Sequence, residues 1–133
     1  VGAKNVRPSL IIVGGGPGGL LASILLGDMI DDIVVVEKSS NLESLTWSDN
    51  KSYSIVLNDR GMRSLERGKC LDIVGKAGLD RLIIYILNGA TGESIAEIPK
   101  QNIGLTRPVL VNCFLQTIEN NNLANNNNNN NKE

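Results

Sequence analysis

Apolar positions along the chain change period several times, and each change marks an element. Ser9–Val13 is apolar without alternation, the pattern of a strand covered on both faces rather than a half-exposed one. A glycine cluster follows, and Pro17 falls where the first turn of a helix tolerates proline. Leu21, Ile24 and Leu25 then recur at i, i+3 and i+4, which predicts a helix to about residue 29. Asp31 and Asp32 interrupt that pattern, and residues 33–36 form a second continuous apolar run ending at Glu37. Strand, helix and strand in so short a span make one tight, right-handed βαβ unit.

Residues 38–50 are polar and read as a loop, and 53–57 is a short β-rich run. Asn58 suits the cap of a helix running to about Arg67, with Met62 and Leu65 facing inward and Gly68 ending it. Leu71, Ile73 and Val74 suggest another short helix, closed by Gly75 or Gly78. Residues 81–87 are apolar and β-branched, hence a strand. The turn NGATGE follows, and residues 95–98 pair back as a hairpin. Thr106 caps a last helix, with Pro108 in its first turn and Leu110, Phe114, Leu115 and Ile118 at helical spacing. From residue 120 asparagine dominates. Its side chain competes with the backbone for hydrogen bonds and buries no apolar area, so 120–133 is expected to be a disordered tail after a domain over 1–119.

Composition narrows the chemistry. Apolar residues make up 41 %, enough for a core, and the 133 residues suit one small domain. A net charge of −1, with both signs mixed along the chain, gives no nucleic-acid surface. There is no histidine, which excludes a His-based triad or His metal site, and no metal site is expected. Cys70 and Cys113 are far apart in sequence and read as buried free thiols. No apolar run approaches the ~20 residues that span a bilayer. Arg7 and Pro8 lead into a strand rather than into the apolar core of a signal peptide.

The candidate chemistry lies in the glycine cluster. Gly14, Gly16 and Gly19 match G-x-G-x-x-G, with Pro17 and Gly18 filling the spacer. Gly14 permits the tight turn out of the strand. Gly16 lets backbone N–H groups approach a pyrophosphate, and Gly19 lets the helix lie close on the strand. The helix N-terminus adds free N–H groups and the positive end of its dipole. Glu37 follows Gly19 by 18 residues at the end of the second strand, with Lys38 beside it. A carboxylate there accepts hydrogen bonds from both hydroxyls of an adenosine ribose and repels a 2′-phosphate. The spacing alone leaves NAD and FAD open.

"IIVGGGPGGLLASILL…IVVVEK", then "KSYSIVLNDRGMRSLERGKCLDIV", then "LTRPVLVNCFLQTI" resembles the FAD-dependent aromatic-ring hydroxylases, and within them the kynurenine 3-monooxygenases, over residues 9–118. The resemblance implies an α/β fold, an incomplete Rossmann-type FAD/NAD(P)-binding domain made of a βαβ unit, further helices and a β-hairpin. It implies that Gly14, Gly16 and Gly19 hold the FAD pyrophosphate and Glu37 the adenosine ribose. Arg60, opening a helix before Gly61, would lie near the flavin-side phosphates, and Arg107 would contact the cofactor from the start of its helix. Arg63 and Arg67 share the Arg60 face and read as solvated. Trp47 and Tyr85 read as packing residues.

The implied reaction is hydroxylation of a small aromatic substrate with NADPH and O2, and no residue here stands out as its acid, base or nucleophile. An epoxidase or reductase of the same fold, or a non-catalytic dinucleotide-binding fragment, is the alternative. This sequence departs from the family at three places. Lys51 stands where the family has arginine, Lys100 where kynurenine hydroxylases have a tyrosine after Ile-Pro, and Arg81 only approximates their carboxylate-binding arginine. The family's second FAD motif, Gly-Asp, comes later in such chains, and Gly27-Asp28 merely ends the first helix. The chain is thus expected to be the N-terminal portion of a longer enzyme, in the cytoplasm or at the mitochondrial outer membrane. Membrane association would come only through a C-terminal segment.

Overall fold

In a computed structural model the protein is described over residues 9–30, 32–39 and 53–130. Trp47, Lys51 and Ser52 lie outside these residues. Strand β1 (Ser9–Val13), helix α1 (Pro17–Leu26) and strand β2 (Asp32–Val36) form the expected βαβ unit. β1 and β2 pair in parallel with Ile11 opposite Val34. Residues 10, 12, 33 and 35 are half-buried on the side of the helices, whereas Ile11, Val13, Val34 and Val36 lie exposed on the other face. Both faces are apolar, which accounts for the unalternated sequence of each strand. Helix α1 stops at Leu26, earlier than its apolar spacing predicts, because Gly27 donates to Ile24 and the chain turns over 27–29.

The second sheet has the order β3-β5-β4, from β3 (Ser54–Leu57), β4 (Leu79–Leu87) and β5 (Ser94–Thr106). Between β3 and β4 lie α2 (Asp59–Arg67) and α3 (Leu71–Ala77). Asn58 caps α2 as expected, its side chain accepting from the Gly61 N–H at 3.1 Å. Gly78 closes α3. The hairpin is longer than expected: β4 begins at Leu79, and β5 runs 13 residues, not four. Its far half pairs with β3, Leu57 opposite Ile103 and Ser54 opposite Thr106. Sequence reasoning lost β5 at Pro99 and Lys100. There the strand carries an extra residue, since two steps along β4 from Arg81 to Ile83 match three along β5 from Asn102 to Pro99. Such a bulge tolerates proline and breaks apolar alternation.

Helix α4 (Arg107–Asn130) follows β5 directly. The core sits between α1, α2, α3, α4 and the inner face of β5, around Leu20, Leu65, Val74, Ile103, Leu105 and Phe114. Cys70 and Cys113 are both free and buried in it, as expected, and burial pushes both thiols up. Composition placed a boundary at residue 120, but α4 continues without a break to Asn130. Extending a formed helix fixes one residue per hydrogen bond, and asparagine is only a moderately poor helix former.

Candidate dinucleotide site

The site is assembled where β1 ends, α1 begins and β2 ends. Gly14 has φ +110°, a conformation that disfavours any side chain, and its N–H donates to the Val36 carbonyl at 2.7 Å. The chain therefore turns sharply off β1 while still tied to β2. Pro17 is the first residue of α1. A Cβ at Gly19 would collide with the Gly14 carbonyl oxygen and stand 3.2 Å from the Ile12 side chain. Helix and loop are thus in contact at a point only glycine fits. Gly18 is exposed with nothing near a Cβ. α1 carries no acidic side chain in its first turn and no side-chain cap, so its N-terminal N–H groups are free for an anion.

Glu37 is fixed before any ligand arrives. Its Oε2 accepts from the Gly15 N–H at 2.7 Å and its Oε1 from the Ser39 N–H at 3.0 Å. These bonds, Ser39 first and Gly15 second, hold the carboxyl below the usual 4.5 against a smaller opposing effect of burial. Gly15, buried inside the loop, was not singled out by the motif, yet it connects the carboxylate to the loop. Because the value in the folded chain is depressed, this contribution to loop stability is complete above pH 4.5 and is lost as pH falls through the lowered value. In an NMR titration the Gly15 and Ser39 amide resonances should move together with a midpoint below 4.5, and Glu37→Gln should abolish the transition. A midpoint at or above 4.5 would contradict the geometry.

Arg107 completes the site. The Thr106 hydroxyl accepts from the Val109 N–H at 3.5 Å as the cap of α4, and the Arg107 N–H donates to the Tyr53 carbonyl at 3.3 Å. The half-buried Arg107 side chain then reaches back to the loop, its Nη2 3.5 Å from where a Cβ of Gly16 would stand. Glycine at 16 leaves room for a phosphate between backbone and guanidinium. The resemblance implied a cofactor contact for Arg107, and its approach to Gly16 comes from β5 running on to residue 106.

Lys38 follows Glu37 and is exposed. Arg60 is not brought to the loop. From Tyr53, beside Arg107, the chain runs away along β3 for about 13 Å at ~3.3 Å per residue. Arg60 lies beyond its far end, exposed in the first turn of α2. Among the described residues no cluster of metal-ligating side chains occurs, and no helix is long and apolar enough to cross a membrane.

A parallel βαβ unit with this loop, a carboxylate tied to it at the end of the second strand and a cation over the second glycine of the motif defines a Rossmann-type dinucleotide-binding protein. The model of the family described as FAD binding domain matches residues 7–127, and the chain belongs to that family. FAD is thus the dinucleotide, and the residues present fit it: the Arg107 guanidinium stands where a Cβ at Gly16 would meet it, beside an α1 N-terminus with no side-chain cap.

Solved structures agree on the fold. The p-nitrophenol 4-monooxygenase PnpA from Pseudomonas putida DLL-E4 matches with TM-score 0.68 at 20 % identity, over 84 % of this chain and 28 % of that one. The tetrameric form of 2-methyl-3-hydroxypyridine-5-carboxylic acid oxygenase matches with TM-score 0.69 at 24 % identity, over 86 % and 29 %. The flavin-dependent monooxygenase PieE, solved with FAD and substrate, matches with TM-score 0.62 at 16 % identity, over 89 % and 23 %. The chain therefore spans less than a third of the length of each of these structures. No curated protein matches it.

Proposed function

We propose that the chain is the FAD-binding N-terminal portion of a flavin-dependent monooxygenase that hydroxylates a small aromatic substrate with NADPH and O2, in the manner of kynurenine 3-monooxygenase. The observation that carries the reading is the ligand-ready loop, with Glu37 already held by Gly15 and Arg107 already over Gly16. The flavin supplies the redox and oxygen-transfer chemistry when bound. This chain's residues bind and orient it. The α1 N-terminus and Arg107 hold the pyrophosphate, with Gly14, Gly16, Pro17, Gly18 and Gly19 forming the loop, while Glu37, flanked by Lys38, takes the ribose hydroxyls.

For the substrate, Arg81 supplies a guanidinium on β4. Its side chain lies across β5 at Gly104, with Cδ 3.0 Å from where a Cβ would stand. Lys100 is turned toward α2, where its Nζ is 3.7 Å from Asp59 Oδ2, so the residue that replaces the tyrosine of kynurenine hydroxylases is engaged elsewhere. That substitution favours a second reading, an epoxidase or reductase on the same cofactor site.

The cofactor reading is tested by titrating the purified chain with FAD and with NAD. Uptake of FAD with quenching of flavin fluorescence is expected. A chain that takes NAD and not FAD would sink it. The reaction is tested on a protein joining this chain to the remainder of such an enzyme: aromatic carboxylates should accelerate NADPH and O2 consumption and yield a hydroxylated product.

A further inference from the structure

Two consecutive N–H groups of the glycine loop are tied to β2 and the residue after it. Gly14 donates to the Val36 carbonyl and Gly15 to Glu37 Oε2, both at 2.7 Å. The first bond is main chain to main chain and continues the β1–β2 pairing past Val13 and Val36. The second hangs the loop on a side chain, and that side chain is held in turn by the Ser39 N–H on Oε1 at 3.0 Å. Gly15 is the middle of three successive glycines, a stretch with much backbone freedom to lose on ordering. Pro17 has no N–H, so the loop offers an anion the N–H groups of Gly16, Gly18 and Gly19. None of these three has a main-chain partner among the described residues. Their direction is set by the chain just before them, at Gly15.

We propose that Glu37 positions the loop for the pyrophosphate through Gly15, a role apart from any contact with the ribose; the inference rests on the FAD reading of the site. The carboxylate orders the triglycine turn before the cofactor arrives, so less freedom is lost on binding. It acts on the pyrophosphate in two opposite senses. Its charge alone repels the phosphates and weakens their binding. Its bond to Gly15 keeps the three N–H groups in place and strengthens it. A charge-assisted hydrogen bond at 2.7 Å is of the strong kind, whereas repulsion across a site open to solvent is screened, so positioning outweighs repulsion. The ribose hydroxyls meet a carboxylate with acceptor sites beyond those used by the Gly15 and Ser39 N–H groups. One side chain thereby joins the two halves of the ADP group.

The two roles separate with an FAD analogue whose adenosine is 2′,3′-dideoxyadenosine, which keeps the pyrophosphate and lacks the hydroxyls. Glu37→Met keeps the length of the side chain and removes both acceptors. Glu37→Gln is equally uncharged but keeps one carbonyl that accepts from Gly15. By flavin fluorescence the analogue should bind Glu37→Met about tenfold more weakly than the unchanged chain, the scale of one charge-assisted hydrogen bond, with Glu37→Gln between the two. FAD itself should lose more than the analogue in each variant, by the share of the ribose contact. In the free chains the Gly16 and Gly18 amide resonances should shift in Glu37→Met and move back in Glu37→Gln, which reports the position of the loop rather than overall stability. An analogue that binds both variants as tightly as the unchanged chain, or more tightly, would overturn the proposal and confine Glu37 to the ribose. So would unmoved Gly16 and Gly18 resonances in Glu37→Met, or a chain that binds FAD and not the analogue. A chain that takes up neither flavin would overturn the FAD reading itself, and the proposal with it.

Discussion

Gly19→Ala is expected to destabilise the chain by about 3 kcal/mol or more, at or above the upper end of the range for overpacking, because the obstacle is backbone rather than a side chain that could yield. The added methyl would run into the Gly14 carbonyl oxygen and press on Ile12, and α1 could not keep its place on β1. Gly14 itself has little freedom to move, since its φ of +110° and its bond to Val36 fix the turn. Thermal unfolding should fall by roughly 10–20 °C, and FAD binding should be lost with the loop. The neighbouring change has the opposite sign. Gly18→Ala places a methyl in open space inside a helix, where alanine is favoured over glycine by up to about 1 kcal/mol. The pair separates close packing from loss of backbone freedom. Equal destabilisation by the two substitutions would show that the glycines act through flexibility rather than through the contact at position 19.

The βαβ unit and its loop were legible because each feature is local. An unalternated apolar strand, a glycine spacing, proline at the first helical position and an acid at the next strand end are all read within one short stretch. The caps at Asn58 and Thr106 were legible for the same reason, since each side chain bonds to a backbone N–H three residues on. The length of β5 was not. Its far half is recognised only by what it pairs with, β3 on one side and β4 on the other. The extra residue near Lys100 removes the alternation that would have marked it.

That same strand decides the geometry of the arginines. Arg60 and Arg107 look alike in the sequence, each at the start of a helix after an apolar run. β3 and β5 are antiparallel, so the end of one run is beside the loop and the end of the other is about 13 Å of strand away. A sequence lists the two junctions without saying at which end of the sheet each lies. The asparagine tract shows the converse limit: its composition says that it adds nothing to the core, but composition does not place the end of a helix already formed ahead of it.

The two arginines should therefore separate by experiment. Arg107→Met keeps much of the aliphatic stem and removes the charge beside Gly16. The expected loss is that of a charged hydrogen bond to phosphate, about 1.5–3 kcal/mol, or roughly 10- to 150-fold in the FAD dissociation constant measured by flavin fluorescence. Arg107→Lys should recover part of this, as a point charge without the fork that contacts two oxygens at once. Stability should change little in either variant. The guanidinium makes no ion pair among the described residues, and both the Thr106 cap and the Arg107 N–H bond to Tyr53 belong to groups the substitution leaves in place. Arg60→Ala should leave the FAD affinity of this chain within about twofold, since Arg60 starts from the far end of β3. A larger loss at Arg60 than at Arg107 would mean that the pyrophosphate lies along β3 rather than at the α1 N-terminus. It would also make the position of the Arg107 Nη2, 3.5 Å from where a Cβ of Gly16 would stand, a packing feature without a role in binding.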